Sequence, residues 1–174
     1  LEKPSQPIHF INPTSATITS LKIYQNESIF FSISNQIYVK SIIPGKFYEF
    51  SSITIPFLVT NLITICKSNL LVCGSLDGAL RIWDLGFGYI NTNFERKTAA
   101  YLNNGQAKSP ILLMKNYKEL IYAVTADNVL YLTSVHNNLD QIKINHLRKR
   151  EYQHNFSVKG LEVGKDVLIL IENQ

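Results

Sequence analysis

Four stretches of consecutive apolar residues recur along the chain at a nearly constant interval. They are SIFFSIS (28–34), NLLVCGS (69–75), ELIYAVT (119–125) and DVLILIEN (166–173). When Phe31, Val72, Tyr122 and Ile169 are taken as equivalent, consecutive stretches lie 41, 50 and 47 residues apart. That interval is typical of a repeated unit of four short strands with loop insertions. We therefore expect a series of small sheets rather than one continuous sheet.

The repeated stretches are apolar at successive positions, and helical periodicity is almost absent from the chain. Because the side chains of a strand point alternately to its two faces, a strand of this kind is buried on both faces. A sandwich leaves one face of each sheet in solvent, whereas the blades of a propeller each lie between two neighbours. The pattern therefore predicts an all-β protein of β-propeller type.

Strand-like segments on both sides of each repeated stretch define the units of the series. The chain is read as one domain, 1–174, with blade-like units at 18–53, 58–94, 110–146 and 156–174, the last incomplete. The fourth and most polar strand of the complete units is predicted at 46–53, 88–94 and 140–146. Such a strand is suited to an exposed sheet edge. The segment 6–11 would be an edge strand left over from a preceding unit.

A tight turn connects the second and third strands of the middle units. SLDGALRIW (75–83) aligns with TADNVLYLT (125–133) without a gap, so that Asp77-Gly78 matches Asp127-Asn128. Gly and Asn readily adopt the left-handed conformation that a tight β-hairpin requires. The recurrence predicts the same hairpin in both units.

The segment VCGSLDGALRIWDL (72–85) resembles the signature of the WD40 repeat, with a strand of small residues, Asp in the turn and Trp-Asp closing the third strand. The resemblance implies a WD40-type propeller of about four blades or part-blades. Since such a ring usually has about seven blades, the chain is expected to be part of a larger ring, completed by unseen sequence or a partner chain. The implied structural residues are Ser75, Asp77, Gly78, Trp83, Asp84, Asp127 and Asn128.

The buried hydrogen-bonded tetrad implied by the resemblance is incomplete in this chain. Asp77 and Trp83 are present, but Cys73 stands where the family has Ser or Thr, and no histidine precedes it in its unit. Asp77 is therefore expected to accept hydrogen bonds from the backbone of its own turn. Arg81 is interpreted as a solvated or edge-stacked cation, with a partner contact or a cation–π pair as the alternative.

The cysteines and the long apolar window give no sign of secretion or of a membrane span. Cys66 and Cys73 are too few for a disulfide framework and are expected to be buried free thiols in a reducing, intracellular compartment. The window 53–66 is shorter than the roughly 20 residues that a membrane-spanning helix needs. We expect a location in the nucleus or cytoplasm and no membrane insertion.

No catalytic arrangement is evident. The chain has no phosphate-binding loop and no nucleophile elbow, and its acidic residues are dispersed. Its histidines are scattered and no Cys-x-x-Cys pair occurs, which argues against a zinc site. The protein is expected to be no enzyme and to bind no cofactor or metal.

Basic residues form a second set of candidates. The net charge of +4, from 17 Lys and Arg against 13 Asp and Glu, is too mild to require nucleic acid as a partner. The run 148–150 is either a solvated face of a loop or a patch for phosphate or acidic partners. The tentative partner contacts, in the predicted loop insertions 86–110 and 147–155, are Arg96, Lys97, Lys108, Arg148, Lys149 and Arg150.

These features favour a binding protein. The WD40 resemblance implies a scaffold or adaptor that mediates protein–protein interactions in a eukaryotic intracellular multiprotein complex. The alternative is a propeller subunit of a ribonucleoprotein or chromatin complex that contacts nucleic acid through a basic rim. A lesser alternative is the peptide- or substrate-recognition module of a ubiquitin ligase, which would need a basic or aromatic pocket at the propeller centre.

Overall fold

A computed structural model describes residues 17–41, 51–85, 97–102, 109–137, 142–151, 157–165 and 168–173. These residues are almost entirely strand, as the sequence predicts, and the fold is a partial β-propeller. Within them, three antiparallel sheets have four strands and a fourth sheet has two, each paired in chain order. The predicted edge strand at 6–11 lies outside the described residues.

The strands have the following bounds. Sheet 1 contains β1 (Ile18–Tyr24), β2 (Ser28–Ile33), β3 (Gln36–Ser41) and β4 (Ser51–Thr54). Sheet 2 contains β5 (Val59–Ile65), β6 (Leu70–Ser75), β7 (Ala79–Asp84) and β8 (Lys97–Tyr101), with a 3-10 turn at Cys66–Ser68. Sheet 3 contains β9 (Ile111–Tyr117), β10 (Leu120–Thr125), β11 (Val129–Asn137) and β12 (Ile142–Glu151). Sheet 4 contains β13 (Ser157–Val163) and β14 (Leu168–Asn173).

The sheets are stacked side by side, with their first strands adjacent. β1 packs against β5, β5 against β9, and β9 against β13. The second strands of sheets 1 and 2 are buried at every residue. Sheet 2 lies between sheets 1 and 3, so its strands are covered on both faces. This double burial explains why the strands of sheet 2 are apolar at successive positions.

Three apolar cores fill the spaces between neighbouring sheets. The core between sheets 1 and 2 includes Phe30, Ile37, Val59, Leu62, Cys73 and Trp83. The core between sheets 2 and 3 includes Val72, Ile82, Ile111, Met114 and Ala123. The core between sheets 3 and 4 includes Val124, Leu130, Val158 and Leu161. In each core, residues of a first strand meet the second and third strands of the preceding sheet.

The same irregularity occurs in every first strand. The pairing register skips one residue near the start of the strand, at Thr19, Thr60, Leu112 and Lys159. A β-bulge of this kind bends the strand and increases its twist. The repeated bulge also aligns the four first strands residue by residue, which apolar spacing alone does not achieve.

Two sequence-based boundaries differ from the structure. The predicted edge strand at 88–94 lies entirely outside the described residues, and the fourth strand of sheet 2 is Lys97–Tyr101, inside the expected loop 86–110. The expected loop at 147–155 is wrong for 147–151, because β12 continues to Glu151 by pairing with β11 beyond a bulge at Leu147. An edge strand can be polar on both faces because pairing to one neighbour does not require burial.

Candidate protein-interaction site

A compact polar network supports the turn between β6 and β7. The Ser75 hydroxyl donates to Asp77 Oδ1 at 2.5 Å, and the backbone N–H of Ala79 donates to the same oxygen at 3.4 Å. Arg81 donates from Nη1 to Asp77 Oδ1 at 3.0 Å and from Nη2 to Oδ2 at 2.6 Å. Gly78 closes the turn with φ of 78°, the left-handed conformation that glycine adopts most easily.

This network revises the interpretation of Arg81. Its side chain is only 14% exposed and that of Asp77 only 3%, so the solvated-cation interpretation is wrong. Burial alone would raise the pKa of Asp77, but the hydrogen bonds from Arg81 and Ser75 and the guanidinium charge hold this pKa below its ordinary value. Arg81 therefore compensates the charge of Asp77 inside sheet 2.

Sheet 3 repeats the turn without the cation. The Thr125 hydroxyl donates to Asp127 Oδ1 at 2.6 Å, as Ser75 does to Asp77, and Asn128 has φ of 60°. Tyr131 stands at the position of Arg81, and Asp127 is exposed. The Ser/Thr-x-Asp turn thus recurs, but Tyr131 gives sheet 3 no counterpart of the buried ion pair in sheet 2.

The remaining signature residues also lie in the interior. Trp83 is 3% exposed and packs in the core between sheets 1 and 2. Asp84 accepts a hydrogen bond from Asn137 Nδ2 at 3.0 Å, which connects sheets 2 and 3. Cys73 is fully buried, and burial raises the pKa of its thiol to about 12. Cys66 is exposed, which corrects the expectation that both thiols are buried, because it lies in the 3-10 turn after β5.

An exposed apolar patch covers the β6–β7 turn. Phe57, Leu58 and Leu76 are 45%, 46% and 39% exposed, although each is large and apolar. The backbone N–H of Leu76 donates to the carbonyl of Leu58 at 3.0 Å, which fixes the loop 55–58 over the turn. The Arg81 guanidinium carbon lies 5.9 Å from the centroid of the Phe57 ring, so the buried network below also contacts the patch.

We call this surface the turn rim and define it by Phe57, Leu58, Leu76 and Leu112. Leu112 is 46% exposed and occupies the bulge of β9, and its carbonyl accepts a 2.8 Å hydrogen bond from Asn61 Nδ2 of β5. The rim therefore spans sheets 2 and 3. Sequence reasoning missed these residues, although an apolar Phe-Leu pair directly after Pro56 in a loop was a usable signal.

The opposite rim, where the first strands end, is polar. Its exposed residues, among those that the structure describes, are Gln25, Asn26, Glu27, Cys66, Lys67, Lys118 and His136. The 3-10 turn is held there by the Ser68 hydroxyl, which donates to Glu119 Oε1 at 2.9 Å. Ile23, 54% exposed near the end of β1, is a single apolar residue at this end. The turn rim groups several such residues, and an exposed apolar patch on a folded protein commonly marks an interaction site.

The predicted basic contacts are only partly brought together. Arg148, Lys149 and Arg150 lie on β12, the outer strand of sheet 3, where all three are exposed and Lys149 forms a 2.9 Å ion pair with Glu151. Lys97 begins β8, the outer strand of sheet 2. Arg96 and Lys108 lie outside the described residues. In the part of the chain that the structure describes, no cluster of His, Cys, Asp or Glu suited to a metal is present, and no helix is long and apolar enough to span a bilayer.

Comparison with solved structures places the fold among propeller proteins. The chain is similar to the crystal structure of Sqt1 from Chaetomium thermophilum, with a TM-score of 0.68 and 13% identity over 89% of this chain and 43% of that one. It is also similar to Raptor from Chaetomium thermophilum, with a TM-score of 0.58 and 14% identity over 83% of this chain and 13% of that one. Both neighbours contain WD40 repeats.

A computationally designed protein, Ika8, is similar with a TM-score of 0.62 and 20% identity over 88% of this chain and 42% of that one. The chain thus spans less than half the length of each of these three structures. No family model and no curated protein matches the sequence. At these identities the likeness concerns the fold alone.

Proposed function

We propose that the protein is a WD40-type propeller scaffold that binds an apolar segment of a partner protein on the turn rim. The observation that carries the proposal is the apolar rim itself: Phe57, Leu58 and Leu76 are exposed at the β6–β7 turn, and Leu112 is exposed at the start of the neighbouring sheet. The WD40-containing structural neighbours support a role in protein interaction, without indicating a particular complex.

The rim has the properties of a binding hot spot. Phe57 and Leu76 offer large apolar surface that is still accessible, and Arg81 below them is held in place by Asp77. Burying an apolar side chain completely is worth about 1.5–3 kcal/mol, so the exposed part of Phe57 accounts for about 1 kcal/mol, or a five-fold change in Kd. In protein interfaces a few clustered residues of this kind carry most of the binding energy.

The test places a photo-crosslinking amino acid at position 76, on the turn rim, and at position 67, on the polar rim, in otherwise identical protein. We expect position 76 to crosslink a defined partner protein and position 67 to crosslink none of it. The crosslink should disappear in Phe57→Asp and persist in Lys67→Asp, its matched control. Equal crosslinking from both rims, or a crosslink indifferent to Phe57→Asp, would remove the turn rim as the binding surface.

The basic outer strand supports a second candidate function, contact with nucleic acid. β12 carries Lys143, His146 and the exposed run 148–150 along one sheet edge. Electrostatic binding to phosphates weakens steeply with salt. Binding of a single-stranded RNA that falls with salt and is lost on charge reversal of Arg148, Lys149 and Arg150 would support this function, and absence of binding at low salt would exclude it.

We also propose that the protein is located in the nucleus or the cytoplasm. Cys66 and Cys73, the two cysteines of the chain, are free, which is the expected state in a reducing compartment such as the nucleus or cytoplasm.

A further inference from the structure

β12 is the longest strand among the described residues, and solvent reaches all of it. It has ten residues, Ile142–Glu151, and each of them is exposed or partly exposed. Within the described ranges β12 pairs with β11 only and forms the edge of sheet 3. An edge strand directs every second backbone N–H and C=O away from its neighbour, where a further strand can pair with them.

The pairing with β11 determines the face of the sheet on which each side chain of β12 lies. Residues directly opposite each other in a ladder lie on the same face. Leu130 of β11 packs in the core between sheets 3 and 4, and its partner on β12 is Arg150. The partners of Arg148 and Lys143 follow Leu130 at even intervals along β11, so both lie on the face of Arg150. We call these three exposed residues of β12 the basic face.

The other face of β12 is partly apolar. Val135 packs in the core between sheets 2 and 3, and its partner Ile144 packs against the same core together with Ile142. Lys149 lies on this face as well, where Glu151 forms an ion pair with it at 2.9 Å. β12 is therefore cationic on one face and apolar at its start on the other.

The charges of this edge select among the strands that could pair with it. Charged side chains and bulges are common devices that keep edge strands from pairing with each other, and β12 has both. Two copies of β12 side by side would bring like charges together, which destabilises a pair of strands. An acidic strand would instead be attracted, and Leu147, 49% exposed at the bulge, adds apolar surface to the same edge. The edge therefore disfavours a second copy and favours an acidic partner.

We infer that β12 is a docking edge for an extended segment of an acidic partner protein, which adds a fifth strand to sheet 3. In strand addition the backbone hydrogen bonds supply affinity and the alternate side chains supply specificity. The segment carries Asp or Glu at alternate positions, opposite the basic face, and apolar residues between them, next to Ile142 and Ile144. Nucleic acid, the second candidate for this strand, offers phosphates but neither a strand backbone nor alternating apolar side chains.

The test measures the fluorescence anisotropy of a labelled peptide of the length of β12 in which Glu and Val alternate. We expect Arg148→Glu to raise the Kd of this peptide about ten-fold, because an attraction of up to about 1 kcal/mol is replaced by a repulsion. Lys149→Glu is the matched control, since it makes the same change of net charge on the other face. It should raise the Kd less than about three-fold, because the remaining effect acts at longer range and is screened by salt. Circular dichroism establishes that both variants are folded.

Methylation of the peptide backbone separates strand addition from attraction between charges. Side chains and backbone N–H groups both alternate along a strand, so methylating the nitrogen of every Glu blocks one edge of the peptide. Methylating the nitrogen of every Val blocks the other edge. We expect one of these two isomeric peptides to retain its affinity and the other to bind at least about ten-fold more weakly, since several backbone hydrogen bonds are lost.

A single-stranded oligouridylate, titrated under the same conditions, is the nucleic-acid arm of the test. Three results would each overturn the inference: no binding of the acidic peptide, equal binding of the two methylated isomers, or equal effects of Arg148→Glu and Lys149→Glu. Binding of the oligouridylate without the peptide would also overturn it, in favour of the second candidate function. The proposal for the turn rim does not depend on these results, because none of its residues belongs to β12.

Discussion

Replacing Arg81 with methionine should destabilise the protein far more than replacing an exposed lysine. The guanidinium is the positive charge that balances the buried carboxylate of Asp77, to which it is bound through two hydrogen bonds of 3.0 and 2.6 Å. Methionine retains much of the length and apolar volume of the arginine stem but supplies no charge and no donor. The change thus isolates the contribution of the guanidinium.

The size of the effect follows from burial. The side chains of Asp77 and Arg81 are 3% and 14% exposed, so the variant leaves an almost fully buried carboxylate that keeps, from the described residues, the Ser75 hydroxyl and the Ala79 N–H as donors. Breaking a buried ion pair from one side costs about 3–5 kcal/mol. Because the pair is next to a surface turn that water can approach, we expect about 3 kcal/mol, at the lower end of that range.

Urea unfolding followed by circular dichroism measures this cost, with Lys149→Met as the control. Lys149 forms an ion pair of similar length with Glu151, 2.9 Å, but both partners are more than half exposed, so its loss should have no measurable effect on stability. The double variant Asp77→Asn/Arg81→Met should be less destabilised than the sum of the single variants, since neither charge is then left uncompensated.

The pH dependence provides a second readout. The pKa of Asp77 is lowered in the folded protein, so its contribution to the free energy of unfolding is complete above the unfolded pKa of about 3.9 and is lost as the pH falls through the folded pKa. In Arg81→Met, the free energy of unfolding should therefore fall less than in wild type as the pH is lowered through this range. A cost below about 0.5 kcal/mol, additive single variants, or an unchanged acid profile would refute the argument that the pair is buried and coupled.

Three further predictions concern the same sheet. Trp83→Ala should lower the free energy of unfolding by about 3–5 kcal/mol in urea titrations, because the side chain is 3% exposed in an apolar core; a cost below 1 kcal/mol would contradict this. Gly78→Ala should lower the free energy of unfolding by about 1 kcal/mol, because Gly78 has a φ of 78°, which alanine adopts only with strain. Asn128→Gly, at the equivalent turn, should leave the free energy of unfolding nearly unchanged, because glycine adopts a positive φ readily. Iodoacetamide at pH 8 should modify Cys66 and spare Cys73 until urea is added, as read by mass spectrometry, because burial raises the pKa of Cys73 to about 12; equal labelling in the native state would show the thiol to be accessible.

Several features of the fold were predictable because they depend on local chemistry. Strands apolar at successive positions must be covered on both faces, and the spacing of Phe31, Val72, Tyr122 and Ile169 places these residues on β2, β6, β10 and β14. Gly78 and Asn128 adopt the left-handed conformation that their turns require. In these cases the residue type and its immediate neighbours are sufficient to determine the conformation.

The candidate sites were less predictable, because exposure depends on segments that are distant in sequence. Arg81 is largely buried, with Asp77 receiving its charge and the Phe57 ring 5.9 Å from its guanidinium carbon. Arg148 to Arg150 were assigned to a loop because no apolar alternation marks them, yet they pair with β11 as an edge strand. The turn rim consists of one Phe and three Leu residues, which their apolar character alone would assign to the core.

Hydrophobic spacing and backbone preference act over a few residues, so the repeated unit, the all-β class and the chemistry of the hairpin turns follow from the sequence. Which apolar residues are covered follows from how the sheets pack. Leu21 and Leu62 are the same residue type at the same place in two first strands, but they are 44% and 1% exposed, and within the described ranges it is Leu62 that has a preceding sheet packed against it. Whether an apolar side chain is buried depends on the segment that packs against it. The proposed binding surface, the turn rim, consists of apolar side chains that remain exposed.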